Sequence, residues 1–81
     1  MTAAEIRETV VQGLVRIAPE ADFDELEPNA NIREELDIDS FDFLNFLIGL
    51  NDVLGIEIPE SDYEKLVSMN DLIGYLQGRL A

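Results

Sequence analysis

Asp39-Ser40-Phe41-Asp42-Phe43-Leu44-Asn45-Phe46-Leu47-Ile48-Gly49-Leu50-Asn51-Asp52-Val53-Leu54-Gly55 is the stretch whose reading decides the fold. Asp39 is followed three positions later by Asp42, the spacing at which a capping side chain and an acid satisfy free backbone N–H groups at a helix start. Phe43, Phe46, Leu47, Leu50 and Leu54 then return every three or four residues, which puts them on one buried face of a helix. Gly55 suits the left-handed residue that closes such a helix. A helix is therefore predicted over residues 40–54, with Ser40 as its first residue.

The same start signal recurs on either side. Thr2 with Glu5 opens a helix over residues 3–18 that carries Ile6, Val10, Leu14 and Ile17 and is stopped by Pro19. Ser61 with Glu64, after Pro59, predicts a short third helix over residues 61–66. Ser68 with Asp71 predicts a last helix bearing Met69, Leu72, Ile73, Leu76 and Leu80. Ser61 and Ser68 both read as N-caps. The segment from Pro19 to Ile38 is long for a loop in a small fold and needs anchors. Phe23, Leu26, Ile32 and Leu36 can supply them, and Asn31 with Glu34 can cap one extra turn. Ile56 and Ile58 alternate over too short a run to build a sheet. The expected fold is all-α: a four-helix bundle with a long loop between helices one and two and a short third helix.

At 81 residues the chain makes one domain, 1–81, and its 47% apolar content suffices for one core. Eighteen acids against five bases give a net charge of −13, which opposes binding to nucleic acid or an anionic membrane and favours partners with basic surfaces. With no Cys there is no disulfide framework or thiolate chemistry, and with no His the commonest general base and metal ligand is missing. The polar, charged N-terminus does not read as a secretory signal, and no apolar run is long enough for a membrane span. A cytoplasmic protein is expected.

Of the three serines, Ser40 stands apart. At the first position of its helix, after the long loop, its hydroxyl should face outward, where helix-terminal N–H groups favour an attached phosphate. As a hydrolytic nucleophile it would need a base and an orienting group that this composition scarcely offers, so no enzyme is expected. An unmodified acidic interaction module is the competing reading.

Leu36-Asp37-Ile38-Asp39-Ser40-Phe41-Asp42 at a helix start resembles the Asp-Ser-Leu motif of the acyl carrier proteins. The acidity, the long first loop, the Glu57-Ile58-Pro59 run and the Asp71-Leu72-Ile73-Gly74-Tyr75-Leu76 helix fall where that family has them. The resemblance implies that Ser40, beside Asp39, carries a covalent 4′-phosphopantetheine cofactor. A holo-acyl-carrier synthase would attach it from coenzyme A, and its thiol would hold acyl groups as thioesters. The implied function is delivery of acyl intermediates by a monomer to enzymes with basic docking surfaces, in fatty-acid, lipid or polyketide-type biosynthesis.

Two departures stand out. Asp37 occupies the position where the family usually has Gly, and Phe41 replaces the usual Leu. The helix 40–54 also has Asn45, Gly49 and Asn51 where a housekeeping fatty-acid carrier is rich in Glu, which suggests a specialised member. Phe41, Leu44 and Ile48 form a second apolar line, read either as a partner-docking strip flanked by Asp42 or, for Leu44 and Ile48, as further buried surface. The acids Glu20, Asp22, Asp24, Glu25 and Glu27 read as a solvated surface. Carboxylate clusters of that kind also bind divalent cations loosely, but no metal site is assigned.

Overall fold

The computed structural model describes residues 1–80, so Ala81, the last residue of the expected 1–81 span, lies outside the described residues. Its helices are α1 (Ala3–Ile17), α2 (Ile32–Glu35), α3 (Ser40–Leu54), a 3-10 helix (Glu60–Lys65) and α4 (Met69–Leu80), and no strand occurs among the described residues. The all-α expectation holds, with the bundle completed by one turn inside the long loop.

The N-terminus of α1 is a full capping box: Glu5 N–H donates to Thr2 Oγ1 at 3.2 Å, and Thr2 N–H donates to Glu5 Oε1 at 2.9 Å. Ile6, Val10 and Leu14 are buried along one stripe, whereas Ile17 is half-buried. The helix ends at Ile17 and not at Ala18, which leaves helical geometry at φ −140° just before Pro19.

The segment after α1 is held by local and distant bonds. Phe23 is buried, and its carbonyl accepts from Arg7 Nη2 at 3.1 Å. Asn31 caps α2, accepting from the Glu34 N–H at 3.1 Å, so the extra turn forms as expected. Ile32 N–H donates to the Val67 carbonyl and Asn70 N–H to the Pro28 carbonyl, each at 3.0 Å, which ties the segment to the start of α4.

Helix α3 buries Phe43, Phe46, Leu47 and Leu50, while Leu54 is only half-buried. The Phe43 and Phe46 rings meet at 5.4 Å in a tilted pair. Gly55 closes the helix at φ +65°, a conformation that costs glycine nothing. Helix α1 packs against both α3 and α4. The approach to α3 is close at Gly13, where a Cβ would stand 2.8 Å from Phe46 Cε1.

The third helix corrects the sequence reading. It begins at Glu60, one residue earlier than expected, and Ser61 is not its N-cap; Pro59 holds that position and no side chain caps the turn. A proline sets φ near −65° for a tight turn without a capping hydroxyl, which leaves Ser61 inside the helix, exposed. Ser68 does cap α4: Asp71 N–H donates to Ser68 Oγ and Ser68 N–H to Asp71 Oδ2, both at 3.1 Å. Met69, Leu72 and Leu76 are the buried residues of α4, with Ile73 and Leu80 half-buried.

Candidate functional site

Everything around Ser40 follows from how α3 begins. Asp37 adopts φ +53°, a left-handed conformation in which Gly is unstrained and Asp is tolerated. This is the physical reason a Gly would suit the position. The chain then turns so that Ile38 is buried and Asp39 caps α3, its Oδ1 accepting from the Asp42 N–H at 2.8 Å. Phe43 N–H donates to the Asp39 carbonyl at 3.1 Å. Among the described residues, the N–H groups of Ser40 and Phe41 have no hydrogen-bond partner, and the Ser40 side chain is exposed beside them.

Ser40 opens onto a groove of about 410 Å³ lined by Arg33, Phe41, Phe43, Leu44, Leu47, Tyr63 and Glu64. The structure thus brings Ser40, Phe41 and Leu44 to one concavity; Asp42 and Ile48 do not line it. Phe41 is 70% exposed and Ile48 45% exposed, but Leu44 is half-buried. The strip expected along α3 is therefore interrupted: Leu44 sits in the groove wall, and Phe41 and Ile48 stand free on either side of it. Val53, 69% exposed, extends the apolar surface of α3 beyond the residues expected from sequence.

The opposite wall comes from the 3-10 helix, whose position is set from α4. Tyr75 Oη donates to Asp62 Oδ2 at 2.6 Å, and Arg79 Nη2 reaches the same oxygen at 3.4 Å. Lys65 Nζ donates to Asp62 Oδ1 at 3.3 Å. The Tyr75 hydroxyl, donating to the carboxylate, is the largest cause that holds Asp62 below its ordinary value of 3.8. Burial, followed by the bond to Asp62, pushes the Tyr75 hydroxyl above its ordinary 10.0. The loop acids Glu20, Asp22, Asp24, Glu25 and Glu27 are all exposed. Among the described residues, no three acids gather as a metal site would require.

Arg33, Tyr63 and Glu64 are the lining residues that the sequence reading missed. For Arg33 a signal existed: it is the single basic residue between Arg16 and Lys65. Tyr63 and Glu64 carry no such mark, because their place in the wall depends on the ties from Asp62 to α4.

An exposed hydroxyl with two free N–H groups beside it suits a phosphodiester, whose oxygens accept such donors. A family described as "Phosphopantetheine attachment site" matches residues 6–76. The acyl carrier protein of Campylobacter hominis is 37% identical over 73 residues, covering 90% of this chain and 86% of that one. The acyl carrier protein of Thermosynechococcus vestitus is 30% identical over 81 residues, covering 100% of this chain and 99% of its own. In fold, the chain matches the solution structure of a protein described as an acyl carrier protein from Anaplasma phagocytophilum, with a TM-score of 0.80 at 22% identity over 96% of this chain and 91% of that one. By the span of the family match and the identity to these relatives, this chain belongs to the phosphopantetheine attachment site family.

Proposed function

We propose that Ser40 is the residue that carries the 4′-phosphopantetheine arm, and that the span 1–81 acts as one carrier domain. The family gives the chain that cofactor and the role of an acyl carrier in fatty-acid or related biosynthesis, with acyl-handling enzymes as its partners. The arm supplies a terminal thiol that carries acyl groups as thioesters. The observation that carries the Ser40 reading is its exposed hydroxyl at the start of α3, beside two N–H groups without partners and at the mouth of an apolar groove.

In loading, Ser40 Oγ would form a bond to the phosphorus of coenzyme A that bears pantetheine. The bond from that phosphorus to the second phosphate breaks, 3′,5′-ADP leaves, and the hydroxyl proton passes to a base on the holo-acyl-carrier synthase. The chain itself supplies the nucleophile and its setting: Asp39 fixes the helix start, and the unpartnered N–H groups of Ser40 and Phe41 would donate to the phosphate of the arm. It acts as a carrier and not as an enzyme, a reading supported by the absence of any imidazole or thiol from the sequence. Phe41, Ile48 and Asp42, all exposed on α3, are the contacts proposed for basic-surfaced partners, with Leu44 behind them in the groove wall. Self-repulsion at −13 supports a monomer, and loading from coenzyme A supports a cytoplasmic location. Among the described residues, no helix is long and apolar enough to cross a membrane.

Co-expression with a holo-synthase, followed by intact-mass and peptide mass spectrometry, tests the assignment. The mass should rise by one phosphopantetheine on Ser40, and Ser40→Ala should stay folded and unmodified. A group found on Ser61 or Ser68, or still present on the Ser40→Ala protein, overturns the reading. A protein that never gains the group would be an acidic interaction module instead.

A further inference from the structure

The groove at Ser40 holds one cation in acidic surroundings. Arg33 lines it together with Ser40, and neither the other arginines nor Lys65 do. The residue is tied twice to Ile38, two positions before Ser40. Ile38 N–H donates to the Arg33 carbonyl at 2.9 Å, and Arg33 Nε donates to the Ile38 carbonyl at 3.4 Å. Glu34, Glu35, Asp37, Asp39 and Asp42 are its close neighbours in sequence, and Glu64 shares the groove. Even so, among the described residues the ion pairs are those of Lys65 and Arg79 with Asp62, and Arg33 makes none.

A purely structural role explains this poorly. The backbone bonds of Ile38 to Arg33 and of Leu36 to Ile32 already fasten α2 to the turn, and the Nε bond at 3.4 Å is long and therefore weak. A guanidinium carries five N–H donors, and the bond to Ile38 uses one. The remaining donors form a planar fork without partners among the described residues, on a side chain whose residue lines the same groove as Ser40. Such a fork matches the paired oxygens of a phosphodiester, and its charge would offset a new anion placed among so many carboxylates.

We propose that Arg33 binds the phosphodiester joining the phosphopantetheine arm to Ser40, holding the base of the arm at the groove lined by Phe41, Leu44 and Tyr63. The inference rests on Ser40 being the attachment point. Its test uses the full chain, loaded by a holo-synthase with coenzyme A, as wild type, Arg33→Gln and Arg33→Lys. Intact mass reports loading, the side-chain Nε–H resonance of Arg33 is compared before and after loading, and phosphorus NMR reads the phosphodiester. On loading of the wild type the Arg33 Nε–H resonance should shift, a readout that does not depend on any variant folding. The phosphorus resonance should move toward its urea-unfolded position in Arg33→Gln and return part of the way in Arg33→Lys. A loaded Ser40 with an unmoved Arg33 resonance and one common phosphorus position in all three proteins overturns the role of Arg33 alone. A wild type whose mass shows no arm on Ser40 overturns the attachment reading, and this inference with it.

Discussion

Phe41 and Phe43 stand two positions apart on α3, yet one is 70% exposed and the other 6%. Replacing each by Ala separates recognition from stability. Full burial of a Phe side chain contributes about 1.5–3 kcal/mol. Phe41 withholds less than a third of its surface from water, so its truncation removes on the order of 0.5–1 kcal/mol, part of which the better helix propensity of Ala offsets. Phe43 is in ring contact with Phe46, and its loss leaves a cavity in the core worth about 3–5 kcal/mol. Against a total of roughly 4–12 kcal/mol for a chain of this length, the second change is severe and the first small. If Phe41 is buried by a docked partner, the two-thirds of its surface now in water would contribute about 1–2 kcal/mol, or roughly five- to thirtyfold in affinity. Urea unfolding of both variants, set beside the kcat/KM of loading and acyl transfer, makes the comparison. Phe41→Ala should unfold close to the wild type and transfer more slowly. A loss of several kcal/mol in Phe41→Ala, or a folded Phe41→Ala protein with unchanged transfer to its partners, would refute the reasoning.

Two glycines should respond oppositely to Ala. Gly13→Ala places a Cβ 2.8 Å from the buried Phe46 ring and should cost about 1–2 kcal/mol despite its helix propensity, whereas Gly49→Ala meets nothing within 4 Å and should gain up to about 1 kcal/mol; thermal melts moving the same way for both would contradict the close α1–α3 approach. Because the Asp62 carboxyl lies below its ordinary value in the folded state, its contribution is present above pH 3.8 and is lost as pH falls through the lower folded value. Tyr75→Phe should therefore flatten the acid limb of a melting-temperature profile, and an unchanged limb would count against the Asp62–Tyr75 bond. The Tyr75 hydroxyl has the opposite sense: its contribution holds below pH 10.0 and fades as pH rises through its raised folded value, so in Tyr75→Phe the alkaline limb should flatten too. With a charge of −13, melting temperature should rise with added salt or calcium, and association with basic partners should slow over the same range; a flat titration of both would exclude a dominant role for net charge.

Local chemistry decided much of this protein from sequence alone. Thr2, Asn31, Asp39 and Ser68 all cap the helices expected of them, because a short polar side chain and an N–H three residues on meet within one turn. The buried faces of α1, α3 and α4 were likewise legible from period, and so was the exposed Ser40 at a helix start. Ser61 has the same spacing to its acid as Ser68, and it caps nothing. Its turn follows Pro59 and is fastened through Asp62 to Tyr75 and Arg79, thirteen and seventeen residues away, contacts no local pattern encodes. Periodicity placed Leu44 and Ile48 on one line, but only Leu44 is half-buried, in the wall of the groove that Tyr63 and Glu64 of the 3-10 helix also line. The meeting of Arg33 with Ser40 was also decided in tertiary structure. It required the left-handed turn at Asp37 and the paired bonds to Ile38, which tie Arg33 to the turn before α3 and leave a residue seven positions away lining the same groove.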